Sequence, residues 1–436
     1  MVMFIEEDYK MNFQKFQEVL RIRLTPIAKK LDSQKHLQAI KAGMVRSLPI
    51  LIVGSFFVLP IAVRNLLPAC SIKDFLTQYM DLFTYATTFT MDAVSVYVAY
   101  NVADSLSTSY HLKTKSIGIT AIAVQFILCL TKVDGNISFA YMGSKGIFVA
   151  MLSGMFVVEV TRFMRDKNMV IKMPASVPPM VSDSISALFP TAVNIITATI
   201  VTLLCIHQMG VPFPALIETL LKPLATNVDS LWFVAIIVFF TQLLWFFGLH
   251  GQSIVGVIWT PFALQYAVQN AANYAAGLPV EHIFTQHFYF TMIAASGSGL
   301  TIGLVLLMVR SKSQTLQAIG KVSIIPACFG INEPVIYGCP IVMNPYLFIP
   351  FVFGPVLVAI IDYAMVAFHI VGRPITVPPG FMPPAVGAFL MTLDWKAFVL
   401  VGATLVLMTV FYYPFFKAME AEELEKEKNE SQLINN

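Results

Sequence analysis

An all-α polytopic membrane protein, with about ten transmembrane helices, re-entrant hairpin segments and amphipathic interfacial helices, is the fold class this sequence predicts. Three observations carry that expectation. Hydrophobic residues fill 57% of the 436 positions and charged residues only 12%. Several stretches run about 18 residues or longer with few or no charges, the length needed to cross hydrocarbon. The basic residues gather beside those stretches instead of forming one patch, and the formal net charge is only +3. That distribution speaks for orientation in a lipid bilayer and against nucleic acid as a partner. The five cysteines, Cys70, Cys129, Cys205, Cys328 and Cys339, are scattered without metal-ligand spacing. They read as small hydrophobes, with no metal and no disulfide framework expected.

Taken in order, residues 1–40 carry seven Lys and Arg, from Lys10 to Lys35, with Lys41 directly after, among Phe13, Phe16, Val19, Leu20, Leu24 and Ile27. This is a basic amphipathic segment at the interface, and it places the amino terminus in the cytoplasm. Hydropathy then sets spans at 43–63, 83–102, 117–130 and 146–164. The cations at 111–115 and 162–172 fall after the second and fourth spans, on the cytoplasmic side that the starting orientation requires. Residues 173–190 hold Pro174, Pro178 and Pro179 with Ser182, Asp183, Ser184 and Ser186, the pattern of a linker or a site-lining loop. A fifth span, 192–209, leads into a short surface helix after Gly210. The sixth, 231–249, is rich in Phe and Trp and runs directly into Gly248-Leu-His250-Gly251-Gln252. Spans seven to ten follow at 254–272, 284–308, 346–368 and 397–415, and an acid-rich tail reads as a solvated helix end. Residues 373–387 hold five prolines yet remain apolar, which suits a second re-entrant segment. An even number of spans returns the carboxyl terminus to the cytoplasm.

The stretch from Ala327 to Gly338, reading ACFGINEPVIYG, sets Glu333 among apolar residues with Gly330, Pro334 and Gly338 breaking the helix. An intramembrane charge costs about 2.5 kcal/mol or more and so faces a cavity or a partner. Broken backbone at that depth is tolerated only inside protein or beside water. Glu333 is therefore the leading candidate for a group that accepts a hydroxyl of a polar, uncharged ligand. His250 alone is more often a histidine satisfied by a nearby carbonyl, but Gly248 and Gly251 permit an irregular turn that brings its backbone close. Trp245, about a helical turn earlier, offers an aromatic face suited to the C–H surface of a sugar. Asp104 and Glu159 lie near span ends and read as interfacial, Asp92 as a buried packing acid, and Asp362 sits with Gln252 and Asn332 in the later half. No P-loop, serine elbow or HExxH motif is present, which excludes a primary pump with its own ATPase.

Gly330-Ile-Asn-Glu-Pro334, Gly248-Leu-His250-Gly251 and Pro178-Pro-Met-Val-Ser182 together resemble the IIC component of bacterial phosphoenolpyruvate-dependent sugar phosphotransferase systems, in the lactose, cellobiose and N,N'-diacetylchitobiose branch. The resemblance extends over nearly the whole chain. It implies the membrane subunit of a sugar phosphotransferase complex in the bacterial plasma membrane, without a bound cofactor. It also implies a homodimer joined through residues 41–210, a sugar-binding half at 211–418 and a cytoplasmic tail at 419–436. Glu333 and His250 would stand at the hydroxyl to be phosphorylated, with Asn332, Gly330, Gln252 and Trp245 in the binding site. The phosphate donor would be a phosphocysteine on a separate IIB protein, docking at the cytoplasmic face. Residues 377–384 lack the tryptophan expected after proline in such permeases, with Phe381 as the nearest substitute, which leaves cellobiose, diacetylchitobiose and lactose all open. A proton- or cation-coupled secondary transporter, with Glu333 carrying the proton, is the competing class, because it too uses broken helices at the bilayer midplane.

Overall fold

Lipid leaves the backbone no outside hydrogen-bond partner, so nearly every element is a helix and each interruption needs a local reason. A computed structural model of the chain describes Pro26, Lys30 and residues 33–434, apart from 113–115, 134–135, 175, 340 and 380–381. The basic amphipathic segment expected over 1–40 and the substitute Phe381 therefore lie largely or wholly outside the described residues.

The first half comprises α1 (Lys35–Leu66), α2 (Ser71–Gln78), α3 (Met80–Thr88), α4 (Val94–Ser109), α5 (Ser116–Cys129), a hairpin of β1 (Thr131–Val133) and β2 (Asn136–Ser138), and α6 (Ile147–Asp166). Next come α7 (Pro179–Ser186), α8 (Leu188–Leu204) and α9 (Phe213–Val228). The second half holds α10 (Leu231–Phe246), α11 (Gly251–Ala275), α12 (Ile302–Val309), α13 (Gln314–Cys328), α14 (Glu333–Gly338), α15 (Phe348–Ala367), α16 (Pro384–Thr392) and α17 (Trp395–Ile434). Among the described residues, five helices are long and apolar enough to cross a membrane, or six if the bent pair α9 and α10 counts as one span. The ten spans expected from hydropathy do not each become one unbroken helix. Three of the differences have a visible cause.

The span expected at 83–102 breaks between α3 and α4, where Tyr97 Oη donates to the Phe89 carbonyl at 2.6 Å and Ser95 N donates to the Met142 carbonyl at 3.0 Å. The 173–190 linker is partly helical, since α7 starts at Pro179; a ring with fixed φ and no N–H is well suited to a first turn. The span expected at 284–308 is cut by an irregular stretch, 294–301, that holds positive φ at Gly297, Gly299 and Leu300. The short helix expected after Gly210 is α9, which meets α10 at a 73° bend. Asp229 sits in that bend and its carboxylate accepts from Phe284 N at 2.7 Å and pairs with His282 Nδ1 at 3.0 Å.

Buried apolar side chains form two clusters. One joins α1, α4, α5 and α6 through residues such as Leu51, Val98, Val102 and Val158, and takes in Leu264, Val268 and Ala271 of α11. The other joins α10, α11, α12, α15 and α17 through Trp259, Phe288, Phe351, Met408 and Tyr412. The interfacial reading of Asp104 and Glu159 matches their partners: Arg46 at 2.8 Å, and His36 and Arg162 at 2.9 and 3.4 Å. Asp92 is not a helix-packing acid; it sits in the break between α3 and α4 and lines a cavity of about 570 Å³ with Lys145, Gln269 and Glu281.

The acid-rich tail is not merely solvated. Glu420 of α17 is only 4% exposed and accepts from Ser311 Oγ at 2.6 Å and Lys312 N at 2.9 Å. About two turns further on, Glu427 accepts from Ser313 Oγ at 2.7 Å and Thr315 N at 3.0 Å, filling the first turn of α13 with negative charge where the helix dipole favours it. Glu420→Ala leaves Ser311 and Lys312 N without that acceptor, a loss of about 1–3 kcal/mol. Thermal unfolding in detergent should show a lowered midpoint, whereas Glu425→Ala, an exposed position on the same helix, should not.

Candidate functional site

Trp245 and His250 arrive together because α10 ends on a turn. Gly248 adopts φ +77°, Gly248 N donates back to the Trp245 carbonyl and Leu249 N to the Leu244 carbonyl, both at 2.9 Å. His250 caps α11, its Nδ1 accepting from Ser253 N at 3.1 Å. With that lone pair occupied, the ring proton belongs on Nε2. The Trp245 and His250 rings lie 4.4 Å apart at 47°. At Gly251 a Cβ would collide with the Thr241 carbonyl, so this position must stay bare for α11 to start so close to α10.

The second wall is a pair of interrupted segments. Helix α13 stops at Cys328, Gly330 turns the chain at φ +77°, and Asn332 precedes α14. The Asn332 side chain is 5% exposed; its Nδ2 donates to the Ser298 carbonyl and to Thr301 Oγ1, at 3.3 Å for the latter. It thereby pins the irregular stretch 294–301. A Cβ added at Gly297 would overlap the Asn332 amide.

Between these walls is a cavity of about 400 Å³. Trp245, His250, Gln252, Gly330 and Asn332, five of the six residues expected from the sequence, line it. Glu333 opens α14 directly after Asn332, and its side chain lies outside the described residues. Asp362 does not join them; it is fully buried in α15 with neither carboxylate oxygen hydrogen-bonded among the described residues. The lining also includes residues the sequence reading passed over: Gln286, His287 and Tyr289, Gly297 and Ser298, and Leu48 and Ile52 from α1. Ser296-Gly-Ser-Gly299 was the available sign of a backbone break, and His287 the available sign of a polar group at depth. Pro379, Met382 and Pro384 of the proline-rich segment close the cavity, as suits a re-entrant stretch.

The lining mixes apolar side chains with polar ones that carry no formal charge at its described positions. Trp245 Nε1, Gln252 Oε1, Gln286 Oε1 and His287 Nδ1 are buried with no hydrogen-bond partner among the described residues. Unpaired buried groups are costly, so they favour a guest that brings both donors and acceptors.

Comparison with known proteins agrees with this chemistry. The family described as Phosphotransferase system, EIIC matches residues 41–355. The chain belongs to that family. It is 34% identical to the cellobiose-specific EIIC component of Geobacillus stearothermophilus, over 95% of this chain and 96% of that one. It is 33% identical to the lichenan permease IIC component of Bacillus subtilis strain 168, over 96% and 97% of the two chains. The crystal structure of ChbC, the IIC component from the N,N'-diacetylchitobiose-specific phosphotransferase system, superposes with a TM-score of 0.86 at 30% identity, covering 94% of this chain and 99% of that one. This IIC component is thus a membrane-embedded sugar permease, the part of a phosphotransferase system that works with a IIB partner and a sugar substrate.

Gly297→Ala in this IIC component should displace Asn332 and weaken sugar binding by roughly tenfold or more, equivalent to about 1.4 kcal/mol. Isothermal titration on purified protein measures it, with Gly402→Ala as the silent control because a Cβ there meets open space.

Proposed function

We propose that this IIC component binds a β-linked disaccharide of the cellobiose or diacetylchitobiose class and presents one of its hydroxyls to a separate phospho-IIB protein at the cytoplasmic face. The observation that carries the reading is the set of unpartnered buried donors and acceptors around a cavity that also holds the Trp245 and His250 ring pair. A neutral saccharide supplies hydroxyls for the first and a C–H face for the second. The names of the relatives, cellobiose-specific and diacetylchitobiose-specific, support the same class.

The roles follow from the local chemistry. His250, with its proton on Nε2, is a hydrogen-bond donor to the reacting hydroxyl oxygen and holds it in place. Glu333 is the acceptor of the hydroxyl proton. The sugar oxygen attacks phosphorus, the bond from phosphorus to the IIB cysteine sulfur breaks, and the thiolate leaves with the electron pair. Asn332 and Gly330 shape the wall, Gln252 hydrogen-bonds a further hydroxyl and Trp245 stacks on the ring. Leu48 and Ile52 line the cavity from the middle of α1, whose first half carries Lys35, Lys41 and Arg46. Basic residues mark the cytoplasmic end of a span, which supports access for IIB from that side and cytoplasmic termini. The organisation proposed with it is a homodimer joined through 41–210, with 211–418 holding the sugar.

Two measurements test the proposal. Uptake into vesicles should deliver sugar phosphate and require the soluble donor proteins; free sugar whose accumulation collapses with the ion gradient would instead mean a secondary transporter. Glu333→Gln should keep sugar affinity within about threefold while phosphorylation falls by roughly 10²–10⁴, the usual share of one proton acceptor. Unchanged phosphorylation in that variant removes Glu333 from its role.

A further inference from the structure

Helix α11 borders two separate spaces. Gln252, in its first turn, lines the sugar cavity. Gln265 and Gln269, about four to five turns further on, line a second cavity of about 520 Å³ opposite Glu218 and Lys222 of α9. Gln269 and Glu281 also line the cavity of about 570 Å³ that holds Asp92 and Lys145, so the two adjoin and form one vestibule. The rise of an α-helix puts Gln265 about 20 Å along the axis from Gln252.

The vestibule is at the end of the protein opposite the basic end of α1. Leu48 and Ile52, in the middle of α1, line the sugar cavity together with Gln252. Val58, Ile61 and Arg64, nearer its end, line a further cavity together with Ala271, Ala272 and Ala275 of α11. The two helices therefore run in the same direction, away from Lys35, Lys41 and Arg46. With that basic end in the cytoplasm, as proposed above, the vestibule faces outward. Packed rings separate it from the sugar cavity. Phe148, in the vestibule wall, meets Phe262 of α11 with ring centroids 4.7 Å apart. About one turn earlier on α11, the fully buried Trp259 meets Tyr289, which lines the sugar cavity, at 4.9 Å.

Two polar side chains of the vestibule wall, one from each half of the chain, stand without partners. Ser144, just ahead of α6, and Gln265 are each 9% exposed, and neither side chain is hydrogen-bonded among the described residues. Around them are Glu218, Lys222, Glu281 and Lys145, none of them ion-paired among the described residues. Both signs of charge are present, so the lining selects no ion. It suits a neutral guest that donates and accepts through hydroxyls, and each cavity is of a size that holds a small ligand.

We infer that this vestibule is an outer saccharide-binding site, where the sugar is captured before it reaches the inner cavity. This rests on the permease reading above and on its sidedness. It adds that uptake from outside uses contacts that phosphorylation from inside does not, with Gln265 and Ser144 hydrogen-bonded to sugar hydroxyls.

Assays read from opposite faces separate the two sites. The full-length protein is studied in right-side-out vesicles loaded with the soluble donor proteins and in inverted vesicles supplied with them outside. The sugar is whichever of cellobiose, lactose and diacetylchitobiose the parent phosphorylates best. Gln265→Leu and Ser144→Ala should each raise KM for uptake into right-side-out vesicles by roughly tenfold, about the worth of one buried hydrogen bond, with the maximal rate within about twofold of the parent. In inverted vesicles, where sugar arrives from the cytoplasmic face, both variants should keep the parent KM. An unchanged KM for uptake in both variants, an equal rise in the two orientations, or a rise confined to inverted vesicles overturns the inference. If Gln265→Leu does not fold, Ser144→Ala alone decides between these outcomes. The permease reading fails separately, if inverted vesicles of the parent phosphorylate none of the three sugars.

Discussion

The amide of Asn332 holds the site together. Two stretches of non-helical backbone, 294–301 and 329–332, meet in a chain most of whose backbone is satisfied within helices. Asn332 Nδ2 bonds the Ser298 carbonyl and the Thr301 hydroxyl, so the freed polar groups of one break are satisfied by a side chain from the other. Positive φ at Gly297, Gly299 and Gly330 allows the two segments to approach closely enough for that exchange. The cavity lies where the two stretches meet, lined by Ala294, Gly297 and Ser298 of one and by Phe329, Gly330 and Asn332 of the other.

Much of this was legible in residue types. Glu333 and His250 stand out because an ionisable group is expensive at that depth, and the glycines and prolines beside them announce broken backbone. Trp245 could be placed near His250 by its short sequence separation, and Gly248 between them marked the turn that brings the two rings together. The eighth span was misread for an equally physical reason: residues 284–308 are apolar enough to pass as one helix, and hydropathy is blind to the sign of φ. Asn332 could be named from its neighbours, but its partners, more than 30 positions away in sequence, could not. The tail misled in the other direction. Glu420 and Glu427 look like ordinary surface acids among Lys417, Lys426 and Lys428, and only the fold brings them to Ser311 and Ser313.

The site also shows how a neutral ligand can be handled without charge. Its described groups are ring faces, amides, imidazoles and backbone, whose net dipoles match hydroxyls and whose burial keeps water from competing. The His250 imidazole is oriented by a backbone contact, Ser253 N on its Nδ1, so the main chain decides which of its nitrogens faces the cavity as donor.

Helix α13 has one end in the cavity, through Gly330, and the other under the carboxylate of Glu427. At 15 residues it is a rod of about 22 Å. The same helix therefore spans from the cavity wall to the contact with α17, and its amino-terminal turn is fixed there by a carboxylate from the carboxyl-terminal helix.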